Sequence, residues 1–140
     1  QMKWSVRDES LHSKMGCQLF RHMCEEDNQL LNLCRKDIIT AAEAMVDLEV
    51  KYIKKMFEMG DIEGIKANDL IHFIKKRANE KLVELGYVDL GNYFPYDKLA
   101  ASNLDWFYHL TGGVTHTDFF AIRPTDYSKA NEGEDFEDIW

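Results

Sequence analysis

Glu9 and His12 stand three residues apart near the start of the chain, in the stretch WSVRDESLH at residues 4–12. On a helix that spacing brings both side chains to one face. A carboxylate oxygen and an imidazole nitrogen so placed can bind a single cation, as Glu-x-x-His elements do in helical metal-carboxylate sites. The signal is short, and solvated helix faces produce it by chance. Asp69 and His72 repeat the spacing, but there the acid is better read as a helix cap. His22, His109 and His116 show no partner at ligand spacing and are read as structural, and Trp4 and Trp106 as packing residues.

These residues need helices to position them. Leu11, Met15, Leu19, Phe20 and Met23 recur at helical spacing and predict a first helix over residues 2–23. No Ser, Thr, Asp or Asn start signal precedes it, so the sequence opens in what reads as helix interior. A second helix, capped by Asp27 or Asn28, is expected to run about thirty residues to Gly60. Its apolar positions are Leu31, Cys34, Ile38, Ala42, Met45, Leu48, Tyr52 and Met56. A third, capped by Asn68 or Asp69, carries Leu70, Phe73, Ile74, Leu82 and Leu85 and stops at Gly86. DKLAASNLDWFYHL, from residue 97, is expected to hold one more short helix. No alternating Val/Ile/Thr-rich segment supports a sheet, and the class is all-α.

Composition bounds the partners. The chain has 140 residues, 45% hydrophobic and 30% charged, which suits one soluble domain. No apolar run is long enough for a membrane span, and no secretory signal is visible. A net charge of −8 argues against nucleic-acid binding. Cys17, Cys24 and Cys34 lack the paired spacings of a zinc site; Cys17 and Cys24 read as small buried hydrophobes, suited to a reducing cytoplasm. The acid is uneven: residues 126–140 carry six acids against Lys129 alone. This tail is expected to be disordered when free.

Longer motifs now bear on Glu9 and His12. RDESLH at residues 7–12 resembles the second metal-binding helix of the radical-generating small subunit of class I ribonucleotide reductase. ANEKLVELGY at 78–87 is similar to that family's Asn-x-x-Leu-x-x-Leu-Gly segment. GGVTHTDFFAIRPTDYSKA at 112–130 is similar to its approach to the C-terminal tail. The resemblance runs in the right order along essentially the whole chain.

The resemblance implies part of a ferritin-like helical bundle over residues 1–110 and a flexible docking tail over 111–140. Glu9 and His12 would be ligands of a di-metal centre. Two irons are favoured for it, with manganese–iron or two manganese ions also fitting. Asp8, supported by Arg7, would orient a ligand histidine and continue a radical-transfer route. Tyr127 would relay the radical between subunits, and Phe136, Ile139 and Trp140 would dock on the large catalytic subunit, which reduces ribonucleotides. A small-subunit dimer is implied as well. The family's other ligands and its usual radical tyrosine come from a preceding region, so the sequence is expected to work with an N-terminal portion, as a separate chain or one removed. Two readings from other classes stand beside this one: a non-catalytic helical module that docks a partner through its tail, and a di-metal oxidase unconnected to nucleotides.

Overall fold

The computed structural model describes residues 2–60 and 62–106, with side chains from Asp8 onward. Among the described residues four α-helices follow one another: α1 (Met2–Glu26), α2 (Leu30–Met56), α3 (Ala67–Glu84) and the short α4 (Lys98–Ser102). Single 3-10 turns extend α2 at Phe57–Met59 and follow α3 at Val88–Leu90. Among the described residues there is no strand, only an isolated antiparallel bridge between Ile62 and Ile65. The all-α expectation holds, in keeping with part of a ferritin-like bundle.

The helix ends follow from local chemistry, with two corrections. Asp27 does not cap α2 directly. Its carboxylate accepts from the Gln29 N–H at 3.0 Å and its carbonyl from the Leu30 N–H at 3.1 Å, forming the turn that delivers the chain into α2. Nor do Asn68 and Asp69 cap α3. The helix begins one residue earlier, after an extended Lys66 with no side-chain cap. Asp69, already inside the first turn, instead accepts from Asn103 at 2.9 Å. Gly60 ends the α2 extension at φ +120°, a value that suits glycine and few other residues.

Gly86 ends α3 by a paired closure. Its own N–H reaches the Val83 carbonyl at 2.9 Å, and the Tyr87 N–H reaches the Leu82 carbonyl at 3.0 Å. Its φ of +109° lets the chain turn back. Leu82 and Tyr87 then meet in the core, the hydrophobic contact that accompanies this type of cap. That core holds Val46, Leu82, Tyr87, Leu90 and Phe94, with Phe20 of α1 and Leu31, Ile38 and Ala42 of α2 against it.

The face of α2 is the larger correction. Met45, Leu48 and Tyr52, expected inward, are 67, 65 and 64% exposed, whereas Val46 and Ile53 are buried. α2 carries two adjoining apolar stripes, and the one bearing Val46, Val50 and Ile53 is the one that is covered, Val46 and Val50 packing in the core with Leu82 of α3. Regular spacing identifies an apolar stripe but does not say which of two neighbours meets the partner helix.

α4 forms as expected. The Asp97 carboxylate caps it, accepting from the Leu99 and Ala100 N–H groups at 2.8 and 3.2 Å. Three residues one turn apart on α3 fasten this segment. Asp69 meets Asn103, His72 Nδ1 accepts the Asp97 N–H at 3.0 Å, and Lys76 meets Asp105 at 2.8 Å. The Asp69/His72 pair is thereby spent on holding α4.

Candidate functional site

α1 places Asp8, Glu9 and His12 within little more than one turn, all exposed. His12 Nε2 lies 3.8 Å from Asp8 Oδ1, beyond hydrogen-bond reach but close enough for the acid to act on the imidazole. The Glu9 carboxylate adds a hard oxygen donor. The donor types fit a di-metal carboxylate site, in number only a part of one. Among the described residues no group of three or more His, Cys, Asp or Glu is gathered to hold a metal ion.

The ligand face continues along the helix. From Asp8 and His12, residues Met15, Leu19 and Met23 follow at further steps of three or four, so all five share one side of α1. Met15, Leu19 and Met23 are 49, 63 and 48% exposed. Donors and large apolar side chains thus occupy one uncovered stripe, the arrangement of a helix that faces the interior of a bundle.

A neighbouring side of α1 anchors it. Phe20 packs on Tyr87 with ring centroids 6.5 Å apart. Tyr87, 1% exposed, donates its hydroxyl to the Leu31 carbonyl at 2.8 Å. The Arg35 guanidinium lies over its ring, 5.6 Å from the centroid, and also pairs with both Asp89 oxygens. Burial pushes the Tyr87 phenol above its ordinary value, and the Arg35 hydrogen bond holds the Asp89 carboxyl below the usual carboxylate range. Cys17 and Cys24 are half-buried free thiols whose pKa burial raises, which fits their expected role as small hydrophobes.

Other expectations fare variously. Arg7 falls within α1, but its side chain, like that of Trp4, lies outside the described residues. So do Tyr127, Phe136, Ile139 and Trp140, the boundary at residue 110, and His109 and His116. His22 does have an acidic neighbour, contrary to expectation: its Nδ1 lies 3.1 Å from Glu25 Oε2, an exposed pair on one turn. Trp106 is 45% exposed, more than a packing role predicts. The Tyr87–Arg35–Asp89 group was missed. Its only sequence signal is the family-like LGY at residues 85–87, which marks a helix end without naming what meets it. Among the described residues no helix is long and apolar enough to cross a membrane.

The family model described as ribonucleotide reductase, small chain, matches residues 1–93. A probable ribonucleoside-diphosphate reductase small subunit of Invertebrate iridescent virus 3 is 28% identical over 132 residues, covering 93% of this chain and 34% of its own. A second, from Invertebrate iridescent virus 6, is 26% identical over 98% of this chain and 43% of its own. Ribonucleoside-diphosphate reductase subunit beta of Chlamydia pneumoniae is 25% identical over 93% of this chain and 36% of its own. The chain therefore spans between a third and a half of the length of these curated relatives. No solved structure matches it.

Proposed function

The chain belongs to the ribonucleotide reductase small-chain family, and from that premise we propose that it supplies one ligand helix of a di-metal centre and the tail that couples this centre to a large subunit. The remaining ligands come from the preceding part of the small subunit, on this polypeptide or a separate one. When bound, the metal pair supplies the oxygen-activating redox chemistry that side chains lack. Two irons are the favoured pair, and the assembled small subunit is a cytoplasmic dimer.

The chain's own residues do the rest. Glu9 holds a metal through its carboxylate and His12 through the imidazole nitrogen turned away from Asp8. Asp8 would orient a ligand histidine, and Arg7 would support Asp8. Asp8 would lie on the radical-transfer route, and Tyr127, with an oxidisable phenol, would relay the radical between the subunits. Phe136, Ile139 and Trp140 seat the tail, residues 111–140, on the large subunit, where ribonucleotides become deoxyribonucleotides. The observation that carries this reading is the shared stripe of Asp8, His12, Met15, Leu19 and Met23. An uncovered apolar row in line with metal donors suits a helix whose partners complete both a core and a site.

The test is metal content of the assembled small subunit that contains this sequence, wild type against His12→Ala. Loss of about one metal per site with helix content retained is expected, because alanine suits a helix and solvent replaces a ligand poorly. A full metal complement in the variant removes His12 from the ligand set.

A further inference from the structure

A second uncovered row lies on α2, away from the metal donors. Met45, Leu48, Tyr52 and Met56 follow at steps of three and four and rise roughly 16 Å along one side of the helix. They are 67, 65, 64 and 37% exposed, beside the row whose Val46 and Ile53 are buried. Its edges are charged. At about 100° per residue, Glu49 falls on one edge and Lys51 and Lys55 on the other.

Those edges bear on what covers the row. A second copy of α2 laid antiparallel across a two-fold axis brings like edges together, Glu49 against Glu49 and lysines against lysines. The row is also small for a self-pair. Four large side chains exposed to this degree offer about 500 Å² per copy, taking about 200 Å² for each when fully exposed. Counted over two copies, about 1,000 Å² is less than the roughly 1,200–2,000 Å² of stable interfaces. The acid-rich residues 126–140 suit the lysine edge but are repelled by Glu49. A different source of cover is the rest of the subunit. The curated relatives are matched over only 34, 43 and 36% of their length, so more than half of each lies outside the part shared with this chain.

We infer that the row formed by Met45, Leu48, Tyr52 and Met56 seats an amphipathic helix from the preceding part of the small subunit. That helix carries basic side chains along the Glu49 edge and acidic ones along the edge of Lys51 and Lys55. It makes a second contact with that part, separate from the donor row of α1. The inference rests on the reading of this chain as one portion of a small subunit.

A photoreactive benzophenone side chain placed at Leu48 in the assembled small subunit identifies its neighbour by mass spectrometry of the adduct. Adducts are expected in the preceding part of the subunit. Adducts to α2 of a second copy, to residues 107–140 or to the large subunit overturn the inference, and so does a probe that reacts with water alone. Glu49→Lys reads the charged edge: it is expected to lower the thermal midpoint of the assembled subunit by about 3 °C, and Glu49→Gln by less. An unchanged midpoint in Glu49→Lys overturns the charge pattern assigned to the partner helix. Metal content separates this from the ligand reading. If wild type holds no iron or manganese, Glu9 and His12 lose their role, while the adduct still decides what sits on α2.

Discussion

The side-chain amide of Asn79 satisfies both backbone groups of Phe94, donating to its carbonyl at 2.9 Å and accepting from its N–H at 2.9 Å. Asn79 is 2% exposed and is the buried polar residue of the described core. This clamp ties the middle of α3 to the loop that returns over it, and it places Phe94 beside Leu82 and Leu90.

Asn79→Ala strands two buried backbone groups where water does not reach. A loss of about 3 kcal/mol in unfolding free energy is expected, since each unsatisfied buried group costs about 1–3 kcal/mol. Asn79→Asp should also destabilise, because a carboxylate accepts from the Phe94 N–H but repels the Phe94 carbonyl. Urea denaturation of the small subunit reads both, and a change under about 0.5 kcal/mol, the range of ordinary surface substitutions, removes the clamp from the stability of the fold.

Acid should release a different restraint. Arg35 holds the folded Asp89 carboxyl below its ordinary value near 3.8. A carboxyl whose folded pKa is depressed binds its proton more readily in the unfolded chain. Its contribution to stability is therefore present above the unfolded value and lost as pH falls through the folded one. Asp89→Asn removes that contribution at neutral pH and flattens the acid limb of the stability curve as pH falls from the ordinary carboxylate range downward. Urea midpoints across that range check it; parallel curves for variant and wild type would show that the Arg35 pairing does not separate the two values.

The sequence made the helices legible because each carries apolar residues at helical spacing and ends at a glycine or turn residue. Gly60 and Gly86 were readable as stops, and Asp97 heads a helix it does cap. What meets what was less legible. α2 has adjoining apolar stripes, and periodicity could not say that Val46 and Ile53, rather than Met45 and Tyr52, are buried. The Asn79–Phe94 clamp and the His72–Asp97 contact join residues 15 and 25 positions apart, a distance at which single-sequence patterns carry no pairing information. For the site, the spacing of Glu9 and His12 named a donor pair, and the longer motifs supplied its context. Nothing local announced the buried tyrosine that anchors their helix.

Asp8→Asn separates holding a metal from using it. Asparagine keeps the shape of the side chain beside His12 but loses the negative charge of the carboxylate. Metal occupancy should stay near wild type while nucleotide reduction slows by on the order of 10–100-fold, the range typical of groups that orient a ligand. Turnover at the wild-type rate in the variant takes Asp8 out of the transfer route.

The tail gives two variants with opposite signatures. Phe136, Ile139 and Trp140 stand at i, i+3 and i+4, so a single helical turn brings the three apolar groups to one side. The surrounding acids, Glu132, Glu134, Asp135, Glu137 and Asp138, favour approach to a basic groove. A segment that orders on docking loses conformational freedom, so its affinity should be moderate and concentrated in the aromatic anchors. Trp140→Ala should weaken docking on the large subunit by about 2 kcal/mol, and a peptide of residues 132–140 should compete with the intact small subunit. Tyr127→Phe should leave docking unchanged and stop turnover, because phenylalanine keeps the ring but has no oxidisable phenol. Calorimetric titration of the two subunits alongside a nucleotide reduction assay distinguishes them. Normal turnover by Tyr127→Phe would end its role as a relay, and undiminished binding by a small subunit lacking residues 132–140 would place the docking surface elsewhere.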